Sequence, residues 1–369
     1  MNQFDPLALA VPGVRSLKPY RPGKPIEELA REYAIHDAIK LASNENPRGA
    51  PEGAKAAIAT ALDSLHRYPD GNGYALKRGL AARLGLDTNQ ITLGNGSNDV
   101  LELVARAFAG PGDEVMLAAH AFAVYGLVSQ AIGARTVVVD ARNWGHDLEA
   151  MAAAVSPLTR VVFIANPNNP TGTWVSTSSL QRFLTATPRT TIVVVDEAYR
   201  EYVDDNAYPD CVAWLDEFPN LVVTRTFSKV YGLAALRVGY SISSVQIANL
   251  LNRVRQPFNV NTLAQRAALA ALDDADFVHA SAAENRRERA RVCEGFTRLG
   301  LEYIPSQGNF VSVNVNQNAN QVYERMLHRG VIVRPIGEYG LPNHLRITVG
   351  LPPEIETMLD VLAASLTDD

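Results

Sequence analysis

The sequence predicts an α/β protein built around a central, mostly parallel sheet, and three observations support this. Between Ile91 and Ser243, short β-branched runs alternate with helical patterns. Several runs, such as Val193-Val194-Val195, lack polar alternation, as expected for strands that helices cover on both faces. Polar side chains and glycines follow the runs, at the edge where ligands of such sheets bind.

Seven runs make up the predicted sheet of the large domain. They are Ile91–Leu93, Glu114–Ala118, Arg135–Val139, Arg160–Ala165, Thr191–Val195, Leu221–Thr226 and Arg237–Ser241. Parallel neighbours need crossover connections, and the helical stretches between the runs can supply them.

After about residue 262 the pattern changes to longer Ala- and Arg-rich helical stretches with short strands between them. The helices are predicted at Thr262–Leu272, Ala275–Leu299 and Asn320–Arg329, and the strands at Asn309–Asn314, near Val331–Arg334 and at Leu345–Val349. We therefore predict a large domain at residues 46–262 and a smaller α+β domain at residues 263–369. Residues 1–45 form a proline-rich N-terminal arm and part of the small domain, and they pack on it or reach a neighbouring subunit.

Composition excludes several classes of function. The net charge of -5 and the 20% of charged residues provide no basic surface for nucleic acid. No apolar run approaches the ~18 residues that span a bilayer, and the N-terminus does not resemble a signal peptide. Two cysteines, Cys211 and Cys293, fit a reducing compartment, so we expect a cytoplasmic protein. The seven histidines form no close ligand pair, so we expect no metal site.

Chemically useful side chains follow four of the predicted strands, within Gly94–Asn98, Asn166–Gly172, Asp196–Tyr199 and Thr226–Lys229. Together they match the needs of one cofactor, pyridoxal phosphate (PLP). PLP requires a lysine for its aldehyde, an acid beside its pyridine nitrogen, donors for its phosphate and a group on its phenolic oxygen.

Lys229 and Asp196 are the candidates for the covalent and acidic groups. Lys229 follows a buried strand, where a desolvated amine becomes nucleophilic. Asp196 ends an apolar run and can keep the pyridine nitrogen protonated, while Tyr199, three residues later, can point its phenol at the phenolic oxygen. Asn169 lies in a turn fixed by two prolines and a glycine, so its amide can donate rigidly to the same oxygen. The Asn-Pro bonds of this turn are candidates for the cis form.

The phosphate donors are predicted in two places. The backbone of Gly96, Ser97 and Asn98 leads from a strand into a helix, where free N–H groups and the positive helix end favour an anion. Arg237 lies eight residues after Lys229 and offers a planar fork for phosphate. The third glycine of GxGxxG is missing and no GxxxxGK occurs, which speaks against dinucleotide and ATP sites.

Each motif alone has an ordinary interpretation: a solvated loop lysine, a capping aspartate, a packing tyrosine, a surface Asn/Pro turn or a surface arginine. Their order and their common position after strands make the combination specific. Asn-Pro-Thr-Gly, Asp196-x-x-Tyr199, and Ser-Lys229 followed by Arg237 resemble the fold-type I, aspartate-aminotransferase-like PLP enzymes. Four further segments resemble the histidinol-phosphate aminotransferase subfamily: 41–47 (LASNENP), 67–70 (RYPD), 167–172 (PNNPTG) and 345–350 (LRITVG).

The resemblance covers nearly the whole chain and implies a role for each matching residue. Lys229 would be the Schiff-base lysine and proton shuttle, Asp196 the partner of the pyridine nitrogen, and Tyr199 and Asn169 the ligands of the phenolic oxygen. Other residues would bind the cofactor elsewhere: Gly96, Ser97, Asn98, Thr226, Ser228 and Arg237 at the phosphate, Phe122 on the ring, and Tyr68 from the partner subunit of an obligatory homodimer.

The resemblance also implies the substrate contacts. Arg346 would clamp an α-carboxylate, and Arg334 and Tyr20 would contact a substrate phosphate, with Tyr20 coming from the other subunit. Asn46 is the fourth predicted substrate residue. Three positions depart from the family pattern: Asn98 in place of Asp, His120 in place of Pro and Ala235 in place of Gly.

The expected reaction is reversible amino transfer from glutamate, a small-molecule donor, to a keto acceptor, imidazole acetol phosphate, giving 2-oxoglutarate and L-histidinol phosphate. An aromatic aminotransferase is the main alternative, and a threonine-phosphate decarboxylase-like enzyme is another, because the substrate pocket decides the outcome. A non-catalytic PLP domain of a DNA-binding regulator fits poorly, since the N-terminus is too short for a helix-turn-helix module. A metal hydrolase fits poorly because metal-ligand spacing is missing.

Overall fold

The N-terminal segment packs against the smaller, C-terminal domain before the chain enters the large domain. The structure is a computed structural model that describes residues 4–20 and 22–367. The described residues of this segment contain three short helices and one short strand: α1 (Pro6–Leu9), α2 (Pro12–Arg15), α3 (Ile26–Tyr33) and β1 (Ile39–Lys40). Proline opens α1 and α2, where its missing N–H costs nothing.

The large domain alternates strands with helices along the chain. Its elements are α4 (Glu52–Ala61), α5 (Tyr74–Leu84), β2 (Ile91–Gly94), α6 (Ser97–Phe108), β3 (Glu114–Ala118), α7 (Ala123–Ala131), β4 (Arg135–Val139), α8 (Leu148–Ala154), β5 (Thr159–Ala165), α9 (Thr177–Ala186), β6 (Ile192–Asp196), β7 (Leu221–Thr226), β8 (Gly239–Ser243), α10 (Val245–Val254) and α11 (Thr262–Leu272).

All seven predicted strands form one sheet, in the order β2-β8-β7-β6-β5-β3-β4. Only β8 runs antiparallel to its neighbours, so the prediction of a mostly parallel seven-stranded sheet is confirmed. β8 begins at Gly239 rather than at the predicted Arg237. The reason is that Arg237 has φ 55°, in the left-handed region, and ends a preceding 3-10 turn.

Helices cover both faces of the sheet, which explains the unbroken apolar runs. In β6, Val193 and Val195 pack against the core formed with α4, α5, α8, α9 and α11, whereas Val194 packs against the core formed with α6, α7 and α10. Successive side chains of a strand point to opposite faces, so a strand buried on both sides needs apolar residues at every position.

The second domain follows as an α+β unit, as predicted. Its elements are α12 (Ala275–Arg298), β9 (Tyr303–Ile304), β10 (Phe310–Asn314), α13 (Ala319–Leu327), β11 (Val331–Ile332), β12 (Arg334–Pro335), β13 (His344–Thr348) and α14 (Pro352–Thr367). Four strands form a sheet in the order β12-β13-β10-β9, and β1 pairs with β11 in parallel. Among the described residues, no helix is both long and apolar enough to cross a membrane.

Helix α11 does not share the core of the second domain, although the predicted boundary after residue 262 assigns it there. Its buried residues Ala264, Ala267 and Ala268 belong to the same core as α4 and α5. Small alanine side chains let these helices approach closely. By its packing, α11 is therefore part of the large domain.

Candidate active site

The carboxyl ends of the large-domain strands face a cavity of about 260 Å³ that the N-terminal segment and the second domain also line. Ligands of α/β sheets bind at this edge. Most predicted site residues line the cavity: Tyr20, Ser97, Asn98, Phe122, Asn169, Asp196, Tyr199, Thr226, Ser228, Lys229, Arg237, Arg334 and Arg346.

Lys229 projects from the loop after β7. Its Nζ donates to the backbone oxygen of Ser43 at 3.1 Å and lies 5.5 Å from the centre of the Tyr199 ring. Burial lowers the pKa of Lys229 to about 7, and the guanidinium of Arg346 adds to the effect. A large fraction of the amine is therefore unprotonated at neutral pH and can attack an aldehyde.

Asp196 ends β6 and is buried, with two hydroxyl groups on its carboxylate. The Tyr125 hydroxyl donates to Oδ2 at 2.8 Å, and Thr224 Oγ1 donates to Oδ1 at 3.0 Å. Burial raises the pKa of Asp196, while these two hydrogen bonds oppose the rise. The carboxylate is therefore held in one orientation, as a partner for a protonated ring nitrogen must be.

Tyr199 and Asn169 face the same part of the cavity. The Tyr199 hydroxyl accepts a hydrogen bond from Asn44 Nδ2 at 2.9 Å. Asn169 Oδ1 accepts from Arg346 Nη1 at 2.5 Å, which leaves the amide nitrogen of Asn169 as a donor. The Asn166-Pro167 and Asn169-Pro170 bonds flanking this turn are both cis.

An arginine and a helix N-terminus form one end of the cavity. Arg237 Nη1 donates to Ser228 Oγ at 3.3 Å and to the Ala234 carbonyl at 3.0 Å. Gly96 has φ +80°, and a Cβ there would lie 2.5 Å from Arg237 Nη2. Gly96 does not line the cavity, but only glycine lets the guanidinium of Arg237 lie against this loop.

Hydroxyl groups complete this end. Ser97 is at the first position of α6, where backbone N–H groups are free, and Thr226 Oγ1 accepts from the Ser228 backbone N–H at 3.1 Å. Asn98 is the next residue of α6, with an exposed side chain. The set of hydroxyls, N–H groups and one guanidinium suits a phosphate dianion. With Lys229, Asp196 and the aromatic Phe122 on the walls, the residues present fit PLP.

Two arginines dominate the opposite end. Arg334 and Arg346 are cross-strand partners in the antiparallel pair β12-β13, with relative exposures of 7% and 6%. Arg346 Nη2 donates to the Ala42 carbonyl at 2.7 Å, and Arg334 Nη2 donates to Glu338 Oε1 at 2.5 Å. Like charges directly opposite each other destabilise a sheet, so this pair favours an anionic ligand.

Tyr20 lines the cavity of its own chain, with the centre of its ring 5.6 Å from Arg334 Cζ. The contribution of Tyr20 from the other subunit, which the resemblance implied, stays a prediction. The packing of the N-terminal segment explains the observed position of Tyr20. Leu29 of α3 is buried in a cluster with Ile332 of the second domain, and this contact carries the segment over its own cavity.

Besides Gly96, two predicted residues lie outside the cavity. Asn46 Nδ2 donates to the Val230 carbonyl at 2.8 Å and to Ser281 Oγ at 3.1 Å, and its predicted contact with a substrate stays a prediction. Tyr68 is 82% exposed and stacks on Phe258, with ring centres 4.7 Å apart. Its predicted contact with a cofactor of the partner subunit stays a prediction.

Three residues that form hydrogen bonds with predicted site residues were not predicted from the sequence. Tyr125 and Thr224 bind the Asp196 carboxylate, and Asn44 binds Tyr199. A signal existed for Thr224, because it is opposite Asp196 in the register of β6 and β7. Tyr125 lies within α7 and Asn44 two residues before Asn46, and no local pattern distinguishes either from a packing residue.

Sequence comparison identifies a family and close relatives of this chain. Residues 36–362 match the family described as aminotransferase class I and II. Histidinol-phosphate aminotransferase 2 of Pseudomonas fluorescens is 56% identical over 364 residues, with 98% of each chain covered. Histidinol-phosphate aminotransferase 2 of Pseudomonas aeruginosa is 55% identical and covers 99% of this chain and 100% of its own length.

Solved structures agree. Histidinol-phosphate aminotransferase from Sinorhizobium meliloti, determined in complex with pyridoxal-5'-phosphate, superposes with a TM-score of 0.89 at 29% identity, covering 99% of this chain and 98% of that one. Aspartate aminotransferase from Thermotoga maritima shares the fold, with a TM-score of 0.84 at 24% identity over 93% of this chain and 95% of its own. These comparisons confirm the resemblance and the fold class drawn from the sequence.

Proposed function

The chain belongs to the class I and II aminotransferases, and on this basis we propose that it transfers the amino group of glutamate to imidazole acetol phosphate. The products are 2-oxoglutarate and L-histidinol phosphate, and the reaction is reversible. The relatives that are 53–56% identical over nearly their whole length have the name of this activity, which supports the proposal.

The paired arginines are the observation on which the substrate class rests. Arg334 and Arg346 lie opposite each other at one end of the cavity, and only Glu338 forms an ion pair with either of them among the described residues. A carboxylate has one negative charge, whereas a phosphate monoester has almost two at pH 7. Two buried guanidinium groups therefore suit a phosphorylated substrate better than an uncharged aromatic side chain.

Lys229 is the proposed covalent and proton-transferring group. When bound, PLP supplies an electron sink that stabilises negative charge on the substrate's α-carbon. Lys229 Nζ would hold the cofactor aldehyde between turnovers. During turnover, Nζ would accept the substrate's α proton as a base and return it as an acid. Its pKa of about 7 suits both roles near neutral pH.

The buried polar residues hold the cofactor in its reactive state. Asp196, fixed by Tyr125 and Thr224, keeps the proton on the ring nitrogen. Tyr199 and Asn169 donate to the phenolic oxygen. Phe122, on the cavity wall, would cover one face of the ring and limit water access to the reacting atoms.

The two arginines orient the substrates. Arg346 binds the α-carboxylate of glutamate, since its Nη1 and Nη2 groups already lie at the cavity wall, held by Asn169 and Ala42. Arg334 and Tyr20 bind the phosphate of the acceptor. Since donor and acceptor occupy the cavity in turn, the same charged end accepts both anions.

The test is a comparison of kcat/KM for amino transfer from glutamate to imidazole acetol phosphate and to phenylpyruvate, with the same purified holoenzyme. We expect a strong preference for the phosphorylated acceptor. A preference for phenylpyruvate would contradict the proposed substrate, retain the PLP chemistry and assign the chain to the aromatic aminotransferases.

We further propose that two copies form a homodimer with shared active sites. Tyr68 and Phe258 form an exposed aromatic stack, and Phe258 is 45% exposed. Exposed aromatic pairs are typical of surfaces that bind another protein. Sedimentation should show a dimer, and Tyr68→Phe should weaken cofactor binding if its hydroxyl reaches the partner's cofactor; unchanged binding would contradict the sharing.

We also propose a cytoplasmic location. The two cysteines are free thiols, Cys211 buried and Cys293 half-buried, as is usual in a reducing compartment. Fractionation of cells that produce the protein tests this, and recovery in the periplasm would contradict it.

A further inference from the structure

Asn44 links the three parts of the chain at the reactive end of the cavity. It belongs to the N-terminal segment, is almost fully buried and lines the cavity. Its φ of 55° is in the left-handed region, which Asn tolerates better than most residues. This conformation permits both its backbone N–H and its side chain to bind groups inside the protein.

The hydrogen bonds of Asn44 fix the orientation of its amide. Its backbone N–H donates to Thr348 Oγ1 at 2.9 Å, and Thr348 Oγ1 donates to Asn44 Oδ1 at 3.2 Å. Because the Thr348 hydroxyl has a single proton, it accepts from the backbone and donates to Oδ1. The amide nitrogen must therefore face Tyr199, whose hydroxyl it reaches at 2.9 Å.

A phenol oxygen that accepts a hydrogen bond directs its own proton elsewhere. For Tyr199 the remaining direction is the cavity, where the phenolic oxygen of PLP is to be bound. Accepting a hydrogen bond also strengthens a hydroxyl as a donor. Burial raises the pKa of Tyr199, and Arg346 and the Asn44 hydrogen bond oppose the rise. The other charged groups facing this phenol are Asp196 and Lys229.

We propose that Asn44 is a positioning residue of the amino-transfer reaction, which holds the Tyr199 hydroxyl so that its proton points at the cofactor's phenolic oxygen. Thr348 lies two residues after Arg346 in β13, so both side chains are on the same face of that strand. The strand that holds the substrate's carboxylate thus also fixes the amide that orients Tyr199.

This inference rests on the proposed function only in that PLP binds in this cavity. The measurement is therefore a pH titration of the visible absorption of the bound cofactor, made without any keto acid. If the proposed acceptor is wrong, the titration is unaffected, so the two failures are distinguishable.

Asn44→Ala should raise the midpoint of this titration by about one pH unit, the size of one hydrogen bond to an ionised group. The reason is that weaker donation by Tyr199 leaves the phenolic oxygen more basic, so the bound cofactor retains its proton to a higher pH. Asn44→Asp should shift the midpoint further in the same direction, because a carboxylate accepts the Tyr199 proton. Asp also keeps the shape of Asn if Ala prevents folding.

Asn220→Ala is the matched control. Asn220 is buried like Asn44, and its Nδ2 donates to the Thr191 carbonyl at 2.7 Å, at the amino ends of β6 and β7 and away from the cavity. A loss of packing alone should lower the melting temperature of both variants, whereas Asn220→Ala should leave the titration midpoint at the wild-type pH.

The second comparison repeats Asn44→Ala in a Tyr199→Phe background. If Asn44 acts through the Tyr199 hydroxyl, the added shift should fall below about 0.3 pH unit, within the additivity error of such cycles. An undiminished shift in this background, or a wild-type midpoint in Asn44→Ala and Asn44→Asp, would overturn the proposal.

Discussion

The cofactor end and the substrate end of the cavity are assembled from different parts of the chain. At the cofactor end, Asp196 and Thr226 end strands of one sheet, and Ser97 and Lys229 follow strands of the same sheet at its carboxyl edge. At the substrate end, residues of the N-terminal segment meet residues of the second domain. The first end therefore depends on the geometry of a single sheet, and the second on contacts between distant segments.

The two ends also differ in charge. Neutral hydroxyl groups bind Asp196, and Arg237 binds a hydroxyl and a backbone carbonyl. At the cofactor end, the charged side chains are therefore held in place by neutral groups. The substrate end opposes Arg334 to Arg346, with Glu338 bound to one of them. This difference in charge supports the proposal that one end retains the cofactor and the other exchanges anionic substrates.

The largest expected effect is at the cofactor end. Lys229→Ala should lower kcat at least about 10⁴-fold for every acceptor, because it removes both the covalent anchor and the acid-base group. The measurement is steady-state activity together with the absorption spectrum of the holoenzyme. Lys55→Ala, an exposed lysine paired with Glu52 on α4, is the control and should behave as wild type. Full turnover by Lys229→Ala would refute the assignment.

Arg334→Gln should sharpen the contrast between the ends. We expect kcat/KM for imidazole acetol phosphate to fall about 10- to 100-fold, as for a lost charged hydrogen bond, with a small change for phenylpyruvate. Asp196→Asn is the comparison variant and should lower kcat/KM by the same factor for both acceptors. Equal losses for both acceptors in Arg334→Gln would show that Arg334 does not select the phosphate.

The pH dependence tests the cofactor end without substrate. Protonated Lys229 is not nucleophilic, so covalent attachment of PLP to the cofactor-free protein should accelerate as the pH rises through about 7 and then level off. Below this midpoint the rate should fall about tenfold per pH unit. Stopped-flow absorbance measures the rate. A rate that keeps rising towards the ordinary lysine pKa of 10.5 would contradict the lowered value.

The smallest expected effect is at the substrate end. Glu338→Gln removes the carboxylate that competes with substrate anions for Arg334, so KM for the phosphorylated acceptor should fall about two- to fivefold, the range for a partly exposed ion pair. Glu284→Gln breaks an ion pair with Arg48 that lies outside the cavity and should leave KM unchanged. A rise in KM for Glu338→Gln would show that the carboxylate helps to hold Arg334 in place.

The same contrast explains what the sequence could reveal. Strand positions follow from local apolar runs, and a residue after a buried parallel strand reaches the ligand edge, so Asp196 and Lys229 were predictable. Asn44 and Asn46 are two residues apart in one motif, and only the left-handed turn at Asn44 decides which amide faces Tyr199. The role of Tyr20 depended on a chain path that no local pattern encodes.

Packing also decided what periodicity could not. The helical pattern of residues 262–272 was predicted at the bounds that the structure shows, but not the face against which its alanines pack. A stripe of alanines fits any closely approaching neighbour, so the assignment of α11 to a domain needed the three-dimensional contacts with α4 and α5.

The pairing of β1 with β11 has a consequence for the order of events during synthesis. Ile39 of β1 is opposite Val331 of β11. During translation, β1 therefore cannot pair until β11, which is almost 300 residues later in the sequence, has been synthesised. The large sheet needs only residues up to Ser243, and contacts between distant segments form slowly. We therefore expect the cofactor end to fold on the ribosome, while the substrate end forms only after nearly the whole chain has emerged.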